Sequence, residues 1–174
     1  MTETLRSELV GTAGLSVALL GALLLTLYRR PPSARTAERR RTTMVFAVVV
    51  ALQTAHFCEE YVTRFYETFP TTLGLAPWPS IFFVTFNVIW LVVWIIAAFG
   101  LSAGSQAAFA PAWFLAIAAI VNGIAHPLLA LGAGGYFPGL MTSPLLAIGG
   151  IVLWRRLLAT TCSHAAGDVP SRTS

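Results

Sequence analysis

Residues 9–28 read LVGTAGLSVALLGALLLTLY, twenty positions without a charge. As a helix rising ~1.5 Å per residue, the stretch is ~30 Å long, the thickness of the hydrocarbon layer of a bilayer. The number of spans turns on whether it is a cleaved leader or a retained helix. Glu3, Arg6 and Glu8 precede it where a leader would be basic. Arg29, Arg30, Pro31 and Pro32 follow it where a small-residue cleavage site would stand. It reads as a retained first span, and Gly14, Ala18 and Ala22 offer a small-residue stripe for close helix packing.

Working outward, four more apolar segments follow at residues 44–66, 81–99, 111–131 and 140–158. The connection 29–41 holds six Arg and one Glu. Residues 67–80 carry Pro70, Gly74, Pro77 and Pro79 but no Arg, and read as a broken outer loop. Residues 100–110 form a small-residue loop, 132–139 a tight Gly-rich connection, and 159–174 a polar tail expected to be disordered and cytoplasmic. Composition agrees. Of 174 residues, 56% are apolar and 10% charged, against ~25% charged in soluble domains. The mean hydropathy is +0.75. A soluble globular domain and a disordered chain are excluded. The net charge of +4 rests on clustered Arg, which in a membrane chain marks the cytoplasmic side rather than a nucleic-acid footprint. The fold predicted is all-α: one integral membrane bundle of five transmembrane helices over residues 1–158, N-terminus outside and C-terminus cytoplasmic, in the plasma (inner) membrane. Cys58 in the second span and Cys162 in the tail fall on opposite sides, so no disulfide is expected, and Cys58 is expected to be a small buried residue.

The second span, MVFAVVVALQTAHFCEEYVTRFY, becomes polar only in its later half. Helical residues three and four apart share a face, so His56, Glu59 and Glu60 sit together, with Gln53 below and Arg64 one turn above. The fourth span carries Asn122 and His126, and the third Asn87. At ~1.5 Å per residue from the span ends, all of these reach the outer half of the bilayer, where Tyr136, Pro138, Gly139 and Thr142 would roof them. An ionised side chain in hydrocarbon costs roughly 2.5–3.5 kcal/mol, and two adjacent carboxylates repel. Protonating one carboxyl, pairing with Arg64 or binding a cation would each relieve this; two imidazoles and two carboxylates converging from two helices suit the cation, since these are the usual ligands of Zn²⁺, Fe²⁺ or Mn²⁺.

His56-x-x-Glu59-Glu60, with Asn122-x-x-x-His126 and Tyr136-x-Pro138-Gly139 downstream, resembles small integral-membrane proteins named for an H-x-x-E-E motif. The resemblance covers residues 44–146. That family has no defined function, so what it implies is that these positions form one site. Glu59-Glu60-x-x-x-Arg64 is also similar to the first motif of CAAX-type intramembrane proteases, whose F-x-x-x-H and H-x-x-x-N motifs are absent here. A further, architectural likeness is to five-span sterol isomerases of the emopamil-binding type.

The chemistry expected is that of a membrane enzyme with a divalent metal held by His56, Glu60 and His126, which leaves a position open for water or substrate. Glu59 would be the general base or a supporting carboxylate, and Asn122 would orient a ligand or substrate. Gln53, Arg64, Asn87 and Tyr136 would support the site. The partners expected are membrane lipids and a hydrophobic substrate, an acyl lipid or isoprenoid, and no nucleic acid. One alternative is a metal-free isomerase or cyclase in which a Glu of raised pKa protonates an isoprenoid double bond. Another is a small transporter or proton path.

Overall fold

The computed structural model describes residues 2–31 and 36–163. Among them the chain is all-α, with six helices: α1 (Glu3–Tyr28), α2 (Thr36–Val62), α3 (Phe65–Thr72), α4 (Ser80–Ala103), α5 (Phe109–Ala133) and α6 (Ser143–Thr160). Five of these, all but α3, are long and apolar enough to cross a membrane. They correspond to the five expected spans. Each begins or ends a few residues away from the apolar segment. The α1 N-terminus is capped by the Thr2 hydroxyl, which accepts from the Leu5 amide at 3.3 Å.

Helix α5 is the central element and buries ten residues, from Phe109 to Ala130. It packs most extensively against α6, and also against α1. Helix α2 lies between α6 and α4. In a bilayer, apolar side chains gain little by leaving lipid, so close backbone approach decides which helices meet. At the α5–α6 crossing a Cβ on Gly123 would stand 2.1 Å from the Ala147 Cβ, so only glycine lets these helices touch. Gly123 thus lies against the start of α6, and His126, one turn further along α5, lies against the Pro138–Gly139 turn that precedes it.

At the opposite end of the bundle, Arg29–Arg30 (β1) pairs antiparallel with Cys162–Ser163 (β2). The Arg29 guanidinium donates to Thr161 Oγ1 at 2.9 Å, to the Thr161 carbonyl at 2.9 Å and to the Leu158 carbonyl at 3.1 Å. These bonds satisfy carbonyls that the end of α6 leaves without donors, and the cation complements the helix dipole. Arg156 and Arg41 both approach Glu38.

Four expectations change. The tail begins later than residue 159, since α6 runs to Thr160 and Cys162–Ser163 form a strand; residues 164–174 lie outside the described residues. The fifth helix starts at Ser143 rather than 140, because residues 140–142 turn to meet α2. Cys58 is exposed on α2 rather than buried, since its position lies off the packed stripe of that helix. Residues 65–72, expected as the end of the second span and the start of a broken loop, form the separate short helix α3.

Candidate metal centre

The buried residues of α2 are Thr42, Phe46, Val49, Gln53, His56 and Glu60, alternately four and three apart. That is one continuous helix face, and its last three members are polar. His56 is 0% exposed and Glu60 7%. At ~100° per residue, Glu59 projects about a quarter-turn from Glu60. The two adjacent carboxylates therefore face different partners.

Glu60 meets the imidazoles. Its Oε1 lies 3.5 Å from His56 Nε2 and 3.4 Å from His126 Nε2. The rings of His56 and His126 pack edge to face with centroids 4.8 Å apart. The Nδ1 atoms point away from this meeting point. His126 Nδ1 is 2.6 Å from the Pro138 carbonyl oxygen, which can only accept, so Nδ1 carries the proton. His56 Nδ1 is 2.7 Å from Thr142 Oγ1, and the Thr142 hydroxyl donates to Glu59 Oε2 at 2.5 Å. Its one proton is committed to the carboxylate, so His56 Nδ1 must be the donor. In both rings Nε2 is left as a lone pair. Three acceptor atoms thus converge, within 4.8 Å of one another, with no proton assigned between them. His56 Nε2 is buried without a hydrogen-bond partner.

Glu59 is held elsewhere. Tyr136 donates to Oε1 at 2.7 Å, the Met141 amide to Oε1 at 2.9 Å, and the Thr142 amide to Oε2 at 2.8 Å, in addition to the Thr142 hydroxyl. Partial desolvation, and then the Glu59 carboxylate, raise the Tyr136 phenol above its usual value, so it stays a donor. Four donors clamp the α5–α6 connection onto α2. In that connection Gly139 has φ +86°, and a Cβ there would lie 2.4 Å from His126 Cε1 and 2.9 Å from His56 Cε1. Only glycine lets the loop backbone lie against both rings.

The other expected residues divide. Gln53 is buried on the same α2 face, and its Oε1 has no hydrogen-bond partner among the described residues. Asn122 and Asn87 border the same cavity as Glu60 and His126, and Asn87 Nδ2 also donates to the Phe83 carbonyl at 2.9 Å. Arg64 is not brought to the site. It has left-handed backbone geometry (φ 59°) that ends α2, and it pairs at 3.7 Å with Glu67 on the exposed surface. A straight continuation of α2 would have stacked Arg64 over Glu60; the break turns it outward. The same break lays Phe65 of α3 over the site, 5.5 Å from the His126 ring and 6.1 Å from Phe137. Phe65, Thr142 and the Pro138 carbonyl had no assigned role in the sequence reading. Only Thr142 and Pro138 carried a signal, their position in the roofing loop.

A family model described as a protein of unknown function with HXXEE motif matches residues 43–153, more than half of the chain. This is an HXXEE-family protein. No curated protein and no solved structure matches the chain. The residues matched contain the whole cluster and its loop. In this HXXEE protein the three motif positions have distinct surroundings: His56 and Glu60 present facing acceptor atoms, and Glu59 anchors the loop that packs on both imidazoles.

The cluster could hold a divalent metal. Donors ~2.0–2.1 Å from a tetrahedral ion stand ~3.4 Å apart; Glu60 Oε1 is 3.4 and 3.5 Å from the two Nε2 atoms, whereas the three atoms together spread to within 4.8 Å of one another, so the imidazoles would have to draw closer around an ion. Metal-binding imidazoles commonly donate their other N–H to a carbonyl or carboxylate. His126 does so to Pro138, and His56 does so to Glu59 through Thr142.

Proposed function

We propose that this HXXEE protein is a membrane enzyme in which His56, Glu60 and His126 hold a divalent ion of the Zn²⁺, Fe²⁺ or Mn²⁺ class. The observation that carries the reading is the convergence of three buried acceptor atoms whose competing protons are all committed elsewhere. Such a cluster is costly without a cation, because the lone pairs repel and a carboxylate there would be held out of water. A bound ion would act as a Lewis acid toward a substrate oxygen or water at the position the three ligands leave open. Glu59 orients His56 through Thr142, and its four hydrogen bonds suit a supporting carboxylate better than a general base. Asn122 lines the adjoining cavity and is placed to orient a substrate. The substrate is hydrophobic, since the groups around that cavity are chiefly apolar, with Phe and Trp prominent among them.

The arginine-rich end is proposed to be cytoplasmic, which puts the N-terminus outside and the site in the outer half of the plasma (inner) membrane. A transport path has less support. Below Gln53 the buried face of α2 continues as Val49 and Phe46, with no ionisable group on it.

Metal content of the purified full-length protein, measured by mass spectrometry in detergent without chelators, tests the reading. About one divalent ion per chain is expected, lost in His126→Ala and in Glu60→Gln. A wild-type protein that holds no metal even after incubation with Zn²⁺, Fe²⁺ and Mn²⁺ would refute it and favour the metal-free acid–base isomerase.

A further inference from the structure

Beside the cluster lies a cavity of about 210 Å³, bordered by Glu60 and His126 at one side. Along α4 it is lined from Phe82 to Trp94, twelve residues or ~18 Å at helical rise, so it is elongated. Its walls are aromatic, with Phe86, Trp90 and Phe114 prominent among them. Its far wall is α1, which packs on α5 but barely touches α4. Two glycines of α1 line the wall: Gly11 is closed off by the Trp78 ring, which a Cβ there would meet at 2.0 Å, whereas a Cβ built on Gly14, one turn further along, meets nothing within 4 Å and leaves that level open. The chamber can therefore be reached sideways, between α1 and α4.

The polar groups along it are of one kind. Apart from Glu60 and His126 they are neutral: the carboxamides of Gln53, Asn87 and Asn122, the Thr12 hydroxyl and three tryptophan indoles; among the described residues no Arg or Lys lines it. Gln53 is buried, 6% exposed, and its Oε1 accepts from nothing among the described residues. Carboxamides both donate and accept, which suits a neutral group that does the same. A charged phosphate would have only the proposed ion to balance it, since no basic side chain among the described residues lines the site.

We infer that the chamber binds a single-chain neutral lipid carrying a hydroxyl group, which enters between α1 and α4 with its hydroxyl at Gln53 and Glu60 and its chain along the aromatic wall of α4 and α5. The inference rests on the proposed metal site only for where the reacting group lies. The chain is held by shape, since lipid tails gain little by exchanging one apolar surrounding for another. The hydroxyl supplies selectivity, because leaving Gln53 Oε1 unpaired is costly.

The test is photolabelling of the full-length protein in nanodiscs with a diazirine-bearing, alkyne-tagged palmityl alcohol, followed by peptide mapping. Label is expected on the peptide containing Phe86 and Trp90 and on that containing Phe114. Palmityl alcohol should compete, while palmityl phosphate and palmityl methyl ether should not. Gly14→Phe, which extends a ring into open space, should reduce labelling about tenfold, equivalent to ~1.4 kcal/mol. Ala118→Leu on the α5 wall should do the same, and guards against a folding defect in either variant. Label spread over lipid-facing residues such as Ile95 and Phe99, labelling undiminished in both variants, or equal competition by the phosphate would each overturn the inference. Metal content measured on the same samples separates the two proposals. Specific labelling of a metal-free protein upholds the chamber and sinks the metal site; a metal-loaded protein without specific labelling does the reverse.

Discussion

Thr142→Val is the sharpest single perturbation of the site. Valine has nearly the shape of threonine, so packing at the start of α6 is kept and only the hydroxyl is lost. That hydroxyl lies 2.7 Å from His56 Nδ1 and 2.5 Å from Glu59 Oε2. Its removal leaves the His56 Nδ1–H without an acceptor and takes one of four donors from Glu59. The imidazole is then free to carry its proton on Nε2, where Glu60 Oε1 stands 3.5 Å away and would accept it. A protonated Nε2 cannot bind a metal, so the tautomer competes directly with the ion. Loss of a supporting partner of this kind costs about 10–100-fold in metal affinity, or ~1.4–2.7 kcal/mol. The assay is Zn²⁺ competition against a chromophoric chelator in detergent micelles, with thermal unfolding of the metal-free protein as a control for folding. Thr142→Ser, which keeps the hydroxyl, should bind nearly as wild type. If Thr142→Val binds Zn²⁺ as tightly as wild type while His126→Ala is impaired, the proton assignment is wrong and the Glu59–Thr142–His56 chain has no role in binding.

Two further outcomes follow from the same geometry. Gly139→Ala should lower the unfolding temperature markedly in detergent, because its Cβ would fall 2.4 Å from His126 Cε1 at a backbone φ of +86°, a conformation costing ~1–2 kcal/mol for a residue with a side chain; Gly135→Ala, whose Cβ meets nothing within 4 Å, should leave it nearly unchanged. In intact cells a membrane-impermeant maleimide should label Gly135→Cys, introduced with Cys58 and Cys162 replaced by Ser, and should fail to label a cysteine placed at Arg30; the opposite pattern would invert the proposed orientation.

The five helices were legible because a bilayer admits few alternatives. An uncharged run such as residues 9–28 must satisfy its backbone internally, and a helix of that length does so. The meeting of His56, Glu60 and His126 was legible from depth and period together. The role of Glu59 was less so. Adjacent residues diverge by ~100° on a helix, but which of the two carboxylates turns toward α5 depends on how α2 is rotated. That rotation is set by packing of Phe46 and Val49 into the core. Arg64 was misplaced because periodicity assumes an unbroken helix, and nothing in the local pattern marks a non-glycine residue with left-handed geometry.

The amino-acid sequence alone determined the solvent this chain folds in, its helices and the polar face that interrupts them, since all three follow from side-chain chemistry repeated at a local period. The tertiary structure decided which atoms of that face are free to bind. The proton of His56 is held by Thr142 eighty-six residues away, and that of His126 by a carbonyl beyond the end of its own helix. Such bonds depend on two helices being brought together at Gly123 and a loop turning at Gly139, distances in space that no spacing along the chain encodes.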